Sequence, residues 1–437
     1  MSARITVKLL AQRKFAPLIV AQALGAFNDN IIKFSLMILT GYGLLKFGTV
    51  PDRYMVPLAA NTFVIPIFLF SAVSGQLADK FDRTRIMQLA KFGEVFLMII
   101  ASSGFLLQST RLMFLSLFLM GTQSAIFAPA RLASMPYFLN DEELVPGNAL
   151  VSGNVFLFTL AGSLVGTLAL VAKVDGAYQF TENGALFVSI LLIVCSITGW
   201  ISIRFLPPSP PPEPNLKISF NFLAQTWKLL KFVGEDLKIL RPVMGIAWFY
   251  AMGGAFLAVL PTYVKDVLFL DNSVVAILIV VFSIGAAIGA ILCGVLSSKN
   301  NAILFSIIGL FLLAVSTADV YFLSNNIQKF DYTTAGPFLN DSSNWHLIAA
   351  LFAASVTSGM FVVPLQAIAQ RRAHIDVRAR TMAGSALMNA AAAIIGQFAL
   401  VYTGLAGLSV QSAFAGMAII SIIGTIYMIR SKMKGAF

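Results

Sequence analysis

The segment from residue 18 to residue 39 reads LIVAQALGAFNDNIIKFSLMIL, and it decides how the rest of the chain is interpreted. It is long and apolar enough to cross a bilayer, yet its centre carries Asn28, Asp29, Asn30 and Lys33. An ionisable group in the middle of a membrane helix costs roughly 2.5–3.5 kcal/mol on insertion scales, so it persists where a partner, a cavity or a ligand stabilises it. The segment therefore predicts a membrane helix with a polar centre that needs an explanation.

Two explanations of this polar centre are open. Asp29 and Lys33 are spaced i,i+4, so they share a helix face and are able to pair with each other. That pairing would account for both charges without any function. Asn28 and Asn30 lie on other faces of the same helix, and the pairing does not account for them. Their presence favours a transport pathway, in which these four side chains bind a substrate or a coupling ion.

The composition places the whole chain in the membrane. Of 437 residues, 58% are hydrophobic and only 11% are charged, which is unlike a soluble protein. The class predicted is an all-α membrane protein with twelve transmembrane helices in two six-helix bundles. The spans are expected near residues 15–45, 54–78, 86–108, 112–138, 147–172, 184–205, 240–265, 273–297, 301–324, 345–370, 381–404 and 410–430.

The chemistry-bearing residues do not form the patterns of an enzyme. There is no metal-ligand spacing, no nucleophile–base pair, no phosphate-binding glycine loop and no nucleic-acid motif. We therefore expect no catalytic residue, no cofactor, no metal and no nucleic-acid partner. Cys195 and Cys293 lie in apolar runs and are interpreted as small core residues. Lys91 and Glu94 are interpreted as an ion pair at a helix end.

One long polar stretch divides the chain. It begins with a proline-rich run at residues 207–212, which is stiff and extended, and residues 216–238 after it predict an amphipathic helix on the membrane surface. The expected organisation is an N-terminal bundle at 1–206, a cytoplasmic linker at 207–239 and a C-terminal bundle at 240–437.

The distribution of lysine and arginine predicts the orientation. If both termini are cytoplasmic, 22 of the 30 lysines and arginines lie in cytoplasmic segments and six lie on the other side, with Lys33 and Arg131 inside spans. Such an excess marks the cytoplasmic face. The net charge of +11 therefore reflects loops at the membrane rather than a nucleic-acid partner.

The loop after the second span reads GQLADKFDRTR, residues 75–85. It resembles the signature loop of the major facilitator superfamily, with Asp82 where that family usually has glycine. Gly75 is expected to allow a close helix approach. Asp79 is expected to pair with Arg83 or Arg85 at neighbouring helix ends and to close the cytoplasmic side. The plain alternative is a solvated basic loop, which does not explain Asp79.

Two further sets of residues are candidates for substrate binding. Arg131, in the fourth span with Gln123, either extends its guanidinium to the interface or anchors a phosphate. Gln366 follows Pro364, which is expected to kink the tenth span toward a cavity. A weaker copy of the signature, Gly294–Lys299, follows the eighth span 219 residues after Gly75. That separation predicts a duplicated six-helix unit.

Four stretches together resemble one branch of this superfamily, the bacterial lysophospholipid transporters and the similar membrane domain fused to acyl-glycerophosphoethanolamine acyltransferases. They are AFNDN at 26–30, APAR at 128–131, PGNAL at 146–150 and FVVPLQA at 361–367. The resemblance implies inward movement of lysophospholipid, chiefly lysophosphatidylethanolamine, across the bacterial inner membrane for reacylation on the cytoplasmic side. Because the chain ends soon after the twelfth span, any acyltransferase is expected to be a separate protein.

The resemblance assigns two residues directly. Asp29 matches the family's first-helix carboxylate, and Arg131 matches its fourth-helix basic residue. The chain departs from some relatives in the seventh span, because no basic residue lies between Arg241 and Lys265. The identity of the headgroup on the lipid substrate therefore stays open.

Two alternative functions remain. One is a transporter of a small amphipathic solute such as a drug or siderophore, and the other is a non-transporting module that recruits an acyltransferase through residues 207–238.

Overall fold

The computed structural model describes residues 9, 12–46, 48, 52–174, 176–211, 213–219, 221–296, 301–325, 333–372 and 378–434. The helices and strands of these residues follow in chain order. They are α1 (Ala16–Gly41), α2 (Asp52–Lys80), α3 (Arg83–Leu106), α4 (Thr110–Phe138), α5 (Asp141–Leu168), β1 (Val171–Val174), β2 (Ala177–Phe180), α6 (Glu182–Ile203), α7 (Phe222–Gly234), α8 (Leu237–Thr262), a π-helical turn (Tyr263–Val267), α9 (Asn272–Leu296), α10 (Ala302–Asn325), α11 (Ala335–Asn340), a 3₁₀ turn (Ser342–Asn344), α12 (Trp345–Arg372), α13 (Arg378–Leu405) and α14 (Ser412–Met433).

The predicted fold class is confirmed. Every expected span corresponds to one long helix, and every end agrees to within six residues. Eleven helices of the described residues are long and apolar enough to cross a membrane. The twelfth long helix is α1, which has 26 residues. Its polar centre at residues 28–33 lowers the mean hydropathy of the segment.

The contacts divide the chain into two compact units. The first comprises residues up to Val50 with Asn61–Thr226, and the second comprises Pro51–Ala60 with Trp227–Phe437. In the first, α1 packs against α5 and α6, and α3 packs against α4 and α6. In the second, α8 packs against α13, and α10 packs against α12 and α14. The repeated pairings are those expected of a duplicated unit.

Small residues allow the same close contact in both units. A Cβ on Gly162 of α5 would meet the backbone of Phe27 in α1, and one on Gly396 of α13 would meet the backbone of Ala251 in α8. Helices in a membrane approach closely where such residues meet the neighbouring backbone. Gly162 therefore sets the spacing between α5 and α1, the helix that carries residues 28–33, and Gly396 does the same for α13 and α8.

The amphipathic helix is shorter than predicted. It is α7, Phe222–Gly234, whereas residues 216–219 are irregular. The side chain of Asn221 accepts a hydrogen bond from the Ala224 backbone N–H at 3.0 Å, which favours the helix starting there. At the other end, the Asp236 carboxylate accepts from the Lys238 backbone N–H at 2.8 Å and begins α8. A side-chain cap therefore favours the start of α7, and a second cap marks the start of the next helix, α8.

Candidate functional site

The polar side chains at the centre of α1 contact several neighbouring helices. The Asn28 amide donates to Glu94 Oε1 of α3 at 3.4 Å and to the Leu192 carbonyl of α6 at 3.3 Å. The adjacent Asp29 carboxylate accepts from the Ser124 hydroxyl of α4 at 2.9 Å. Successive residues on a helix project about 100° apart, so adjacent positions reach different neighbours. Two consecutive residues thereby connect α1 to three helices.

Asn30 connects the same helix to a fourth neighbour. Its amide nitrogen donates to the Ala26 carbonyl one turn earlier at 2.7 Å and to the Thr159 hydroxyl of α5 at 3.3 Å. Asn28 and Asn30 are both buried. Inter-helix hydrogen bonds therefore account for part of the polarity that the sequence left unexplained.

A buried ion pair lies beside Asn28. Lys91 Nζ is 2.6 Å from Glu94 Oε2, and these side chains are 2% and 1% exposed. The Gln123 amide donates to the same carboxylate oxygen at 3.1 Å, and Lys91 Nζ lies 5.2 Å from the centre of the Phe127 ring. The expectation of an ion pair at a helix end is wrong in its location. The pair lies within α3, in the interior of the unit, where hydrogen bonds and a counter-charge stabilise both groups.

Three other charges in this unit have no such partner. No ion pair of the described residues includes Asp29, Lys33 or Arg131. Lys33 Nζ lies 5.0 Å from the centre of the Phe34 ring, and the buried Nε of Arg131 has no hydrogen-bond partner. All three side chains are half-buried. Asp29 and Lys33 therefore form no direct ion pair in the described structure, although the two charges interact electrostatically at longer range.

Asp29, Lys33, Ser124 and Arg131 form a line that we call the polar stripe. Asp29 contacts Ser124, and Arg131 follows Ser124 by seven residues, or about 10 Å of helix rise. Lys33 follows Asp29 by four residues, or about 6 Å. Because α1 and α4 run in opposite directions across the membrane, Lys33 and Arg131 lie on opposite sides of Asp29. The order of charges along the stripe is positive, negative, positive.

The signature loop is held together mainly by Arg83. Its guanidinium donates to the Ala78 carbonyl at 3.1 Å and to the Ala133 carbonyl at 3.0 Å, and it lies 4.0 Å from the Asp79 carboxylate. The expected pairing of Asp79 is thus with Arg83, which fastens the end of α2 to the end of α4. Arg85 is exposed and lies in no ion pair of the described residues. The gating role of this loop stays a prediction.

Two details of the loop differ from the sequence interpretation. A Cβ added to Gly75 would meet nothing within 4 Å in the part of the chain that the structure describes, so Gly75 does not serve a close helix approach here. Asp82, which replaces the usual glycine, accepts a hydrogen bond from the Arg85 backbone N–H at 3.0 Å. It caps the start of α3, which gives a physical reason for the departure.

The linker lies along this loop, which the sequence did not predict. Four hydrogen bonds join them: Arg83 N–H to the Ser209 carbonyl at 3.0 Å, the Thr84 hydroxyl to the Pro207 carbonyl at 2.7 Å, Glu213 N–H to the Asp79 carbonyl at 3.0 Å, and Ser219 N–H to Gln76 Oε1 at 2.9 Å. Most of these bonds use backbone groups, which every residue type carries. No residue pattern was available to reveal them.

The remaining candidates belong to the second unit or lie partly outside the described residues. Gln366 is half-buried in α12, after Pro364 in the same helix. The weaker signature copy at Gly294–Lys299 begins within α9, and its residues 297–299 lie outside the described residues. The sequence missed Trp248 and Gln397, whose side chains each have one buried polar atom without a hydrogen-bond partner in the described part of the second unit.

Two repeated units of membrane-spanning helices, one with charged side chains that lie in no ion pair of the described residues, are typical of membrane transporters. The family model described as Major Facilitator Superfamily matches residues 16–329, and the chain belongs to this family.

Curated relatives share the predicted branch at modest identity. The "Lysophospholipid transporter LplT" of Serratia proteamaculans is 23% identical over 376 residues, which cover 85% of this chain and 83% of the relative. The protein of the same name from Photorhabdus laumondii is 26% identical over 66% of this chain and 68% of its own length. The resemblance to this branch is therefore confirmed.

Solved transporters share the fold. A POT family transporter in complex with 5-aminolevulinic acid superimposes with a TM-score of 0.68 at 13% identity, covering 95% of this chain and 96% of that one. A bacterial homologue of the iron transporter ferroportin gives a TM-score of 0.63 at 14% identity, covering 98% of each chain. At these identities the likeness concerns the fold alone.

Proposed function

We propose that this protein moves lysophospholipid across the bacterial inner membrane by alternating access, with both termini in the cytoplasm. The observation that carries the proposal is the polar stripe, in which three charges inside an apolar bundle lie in no ion pair of the residues that the structure describes. Such charges are stabilised by a cavity or a ligand. The names of the curated relatives support lysophospholipid as that ligand. A separate acyltransferase would then reacylate the product on the cytoplasmic side.

The order of charges along the stripe suits a zwitterionic headgroup. Lysophosphatidylethanolamine carries an ammonium and a phosphate on adjacent groups. In the proposed mechanism Asp29 binds the ammonium, and a cationic side chain on either side of it binds the phosphate. Arg131 offers bidentate hydrogen bonds to phosphate oxygens, whereas Lys33 offers a compact charge. The phosphate passes from Lys33 to Arg131 as the headgroup moves inward.

The other candidate residues have supporting roles in this mechanism. Asn28, Asn30 and Gln123 fix the rotation of α1 and α4 through their inter-helix hydrogen bonds, so that Asp29 faces the substrate. Gln366, in the second unit, stays a separate candidate for substrate binding. The loop at 75–85 closes the cytoplasmic side.

A competition experiment separates this proposal from transport of a small amphipathic solute. Purified protein in proteoliposomes is given labelled lysophosphatidylethanolamine, with and without an excess of an unlabelled amphipathic dye, and then the reverse pair. Saturable lysolipid uptake that the dye does not inhibit supports the proposal. Dye uptake that lysolipid does not inhibit, with no lysolipid uptake, would contradict it. Loss of lysolipid transfer only when residues 207–238 are altered, with Asp29→Asn unaffected, would favour a recruiting module instead.

A further inference from the structure

The outer face of α3 carries an apolar ridge that ends in an arginine. Leu89, Phe92, Phe96 and Ile99 are exposed along one side of the helix, and Leu89 is 70% exposed. Arg85 precedes Leu89 by one turn and is also exposed. The charge distribution assigns this end of α3 to the cytoplasmic side. An exposed arginine therefore lies where the apolar ridge meets the phosphate level of the inner leaflet.

Two grooves flank the ridge and share its cytoplasmic end. The first, of about 740 Å³, lies between α3, α4 and the end of α2, and its walls include Leu97, Leu119 and Ile126. The second, of about 510 Å³, lies between α3 and α6 and is lined by Phe92 and Trp200 among others. Arg85 and Leu89 line both grooves. The two apolar grooves therefore meet at the cationic side chain of Arg85.

A second arginine lies at the cytoplasmic end of the second groove. Arg204, just after α6, lines the second groove with Arg85. Its guanidinium lies 5.4 Å from the centre of the Trp200 ring, which holds it beside the groove. Neither Arg85 nor Arg204 is in an ion pair of the described residues. Asp82 also lines the first groove, and the N–H that its carboxylate accepts at the start of α3 is neutral and does not cancel its charge. Two arginines against one carboxylate therefore leave the net charge at the junction positive.

We propose that Arg85 and Arg204 bind the phosphate of an anionic diacyl phospholipid from the cytoplasmic leaflet, with one acyl chain in each groove. Guanidinium groups match phosphate oxygens with paired, charge-assisted hydrogen bonds. Two grooves under one phosphate site fit a lipid with two chains, whereas a single-chain lysolipid fills only one. This lipid is a resident ligand on the outer face of α3, separate from the cargo at the polar stripe. Arg85 is thereby given a lipid-binding role at the end of the loop that is proposed to close the cytoplasmic side.

Tryptophan quenching tests the site directly. A variant that keeps only Trp200, made by Trp227→Phe, Trp248→Phe and Trp345→Phe, is reconstituted with brominated-chain phosphatidylglycerol or brominated-chain phosphatidylcholine. The anionic lipid is expected to occupy the groove preferentially, by about fivefold for each arginine, since a basic residue at an anionic membrane surface contributes roughly that factor. The Arg85→Gln/Arg204→Gln pair is expected to remove the preference. Arg85→Lys/Arg204→Lys is expected to keep most of it.

The control and the contrary outcomes are defined in the same assay. Arg430→Gln removes an exposed arginine from the cytoplasmic end of α14 and is expected to leave the preference intact. Equal quenching by the two lipids, or a preference that persists after both arginines are replaced by glutamine, would overturn the proposal. Relief of quenching by excess lysophosphatidylethanolamine would also overturn it, because the groove would then bind single-chain cargo.

Discussion

At the scale of single residues, the unit contains two kinds of buried charge with different expected roles. Lys91 and Glu94 satisfy each other at 2.6 Å, and Gln123 adds a third partner to the carboxylate. Asp29 has only a neutral hydroxyl as its hydrogen-bond partner in the described structure. The first arrangement is that of a structural ion pair, and the second leaves a charge available to a ligand. The i,i+4 spacing of Asp29 and Lys33 permitted pairing without enforcing it, which is why the sequence could not decide between these roles.

Removal of one member of the buried pair should destabilise the fold. Glu94→Gln leaves the Lys91 ammonium buried without a counter-charge, which typically costs about 3–5 kcal/mol. The Lys91→Met/Glu94→Gln double variant should recover much of that loss, since neither charge remains. Thermal unfolding in detergent measures both. Unchanged stability of Glu94→Gln would contradict the structural role, and Asp319→Asn on α10, whose carboxylate is 40% exposed, serves as the control.

At the scale of elements, hydropathy and helix signals predicted nearly all of the helix bounds, and contacts between elements were the part that could not be predicted. The positions of the spans follow from the apolar runs themselves. The location of Lys91–Glu94 in the interior depends on how α3 is rotated against α1 and α4. The contact of the linker with the signature loop depends largely on backbone groups. Neither the rotation of α3 nor the contact of the linker with the loop produces a periodic pattern of residues in the sequence.

The glycine contacts of α5 give a prediction with a control in the same helix. A Cβ on Gly162 would meet the Phe27 carbonyl, whereas a Cβ on Gly153 would meet nothing within 4 Å in the described structure. Gly162→Ala should therefore destabilise by about 1–3 kcal/mol, as overpacking usually does. Gly153→Ala should stabilise slightly, because alanine favours a helix interior by about 0.5–1 kcal/mol. Equal melting temperatures for the two variants would contradict the proposed packing of α1 on α5.

The start of α5 gives a pH-dependent prediction outside the membrane. The Lys14 ammonium, the Asn140 backbone N–H and the Gln12 amide all donate to the Glu143 carboxylate. These hydrogen bonds lower the pKa of Glu143 from 4.5 to about 2. Because the folded-state pKa is the lower one, the stabilisation is fully present above about pH 4.5 and is lost as the pH falls toward 2.

Glu143→Gln should therefore be less stable than the natural protein at pH 7 and nearly equal to it near pH 2. The measurement is unfolding in detergent across this range, with Glu182→Gln at the start of α6 as the control, since Glu182 lies in no ion pair of the described residues. A stability difference that grows as the pH falls would have the wrong sign for a carboxylate held in its charged form.

At the scale of the whole molecule, the fold and its family follow from the repeated helix pairings and the match over residues 16–329. The sequence predicts a two-unit organisation because a polar linker interrupts the apolar runs. The predicted boundaries at 206 and 239 stay a prediction. The substrate depends on fewer residues than the fold does. In this account it depends above all on the carboxylate of Asp29.

Uptake of labelled lysophosphatidylethanolamine by proteoliposomes tests that dependence most directly, with the natural protein, Asp29→Asn and Asp319→Asn compared at equal reconstituted amounts. The account predicts saturable uptake by the natural protein and by Asp319→Asn, and a loss of at least about tenfold in Asp29→Asn, equivalent to one charge-assisted contact of about 1.4 kcal/mol or more. Uptake by Asp29→Asn at the natural rate would show that the polar stripe does not bind the headgroup, and it would contradict the proposed function at its centre.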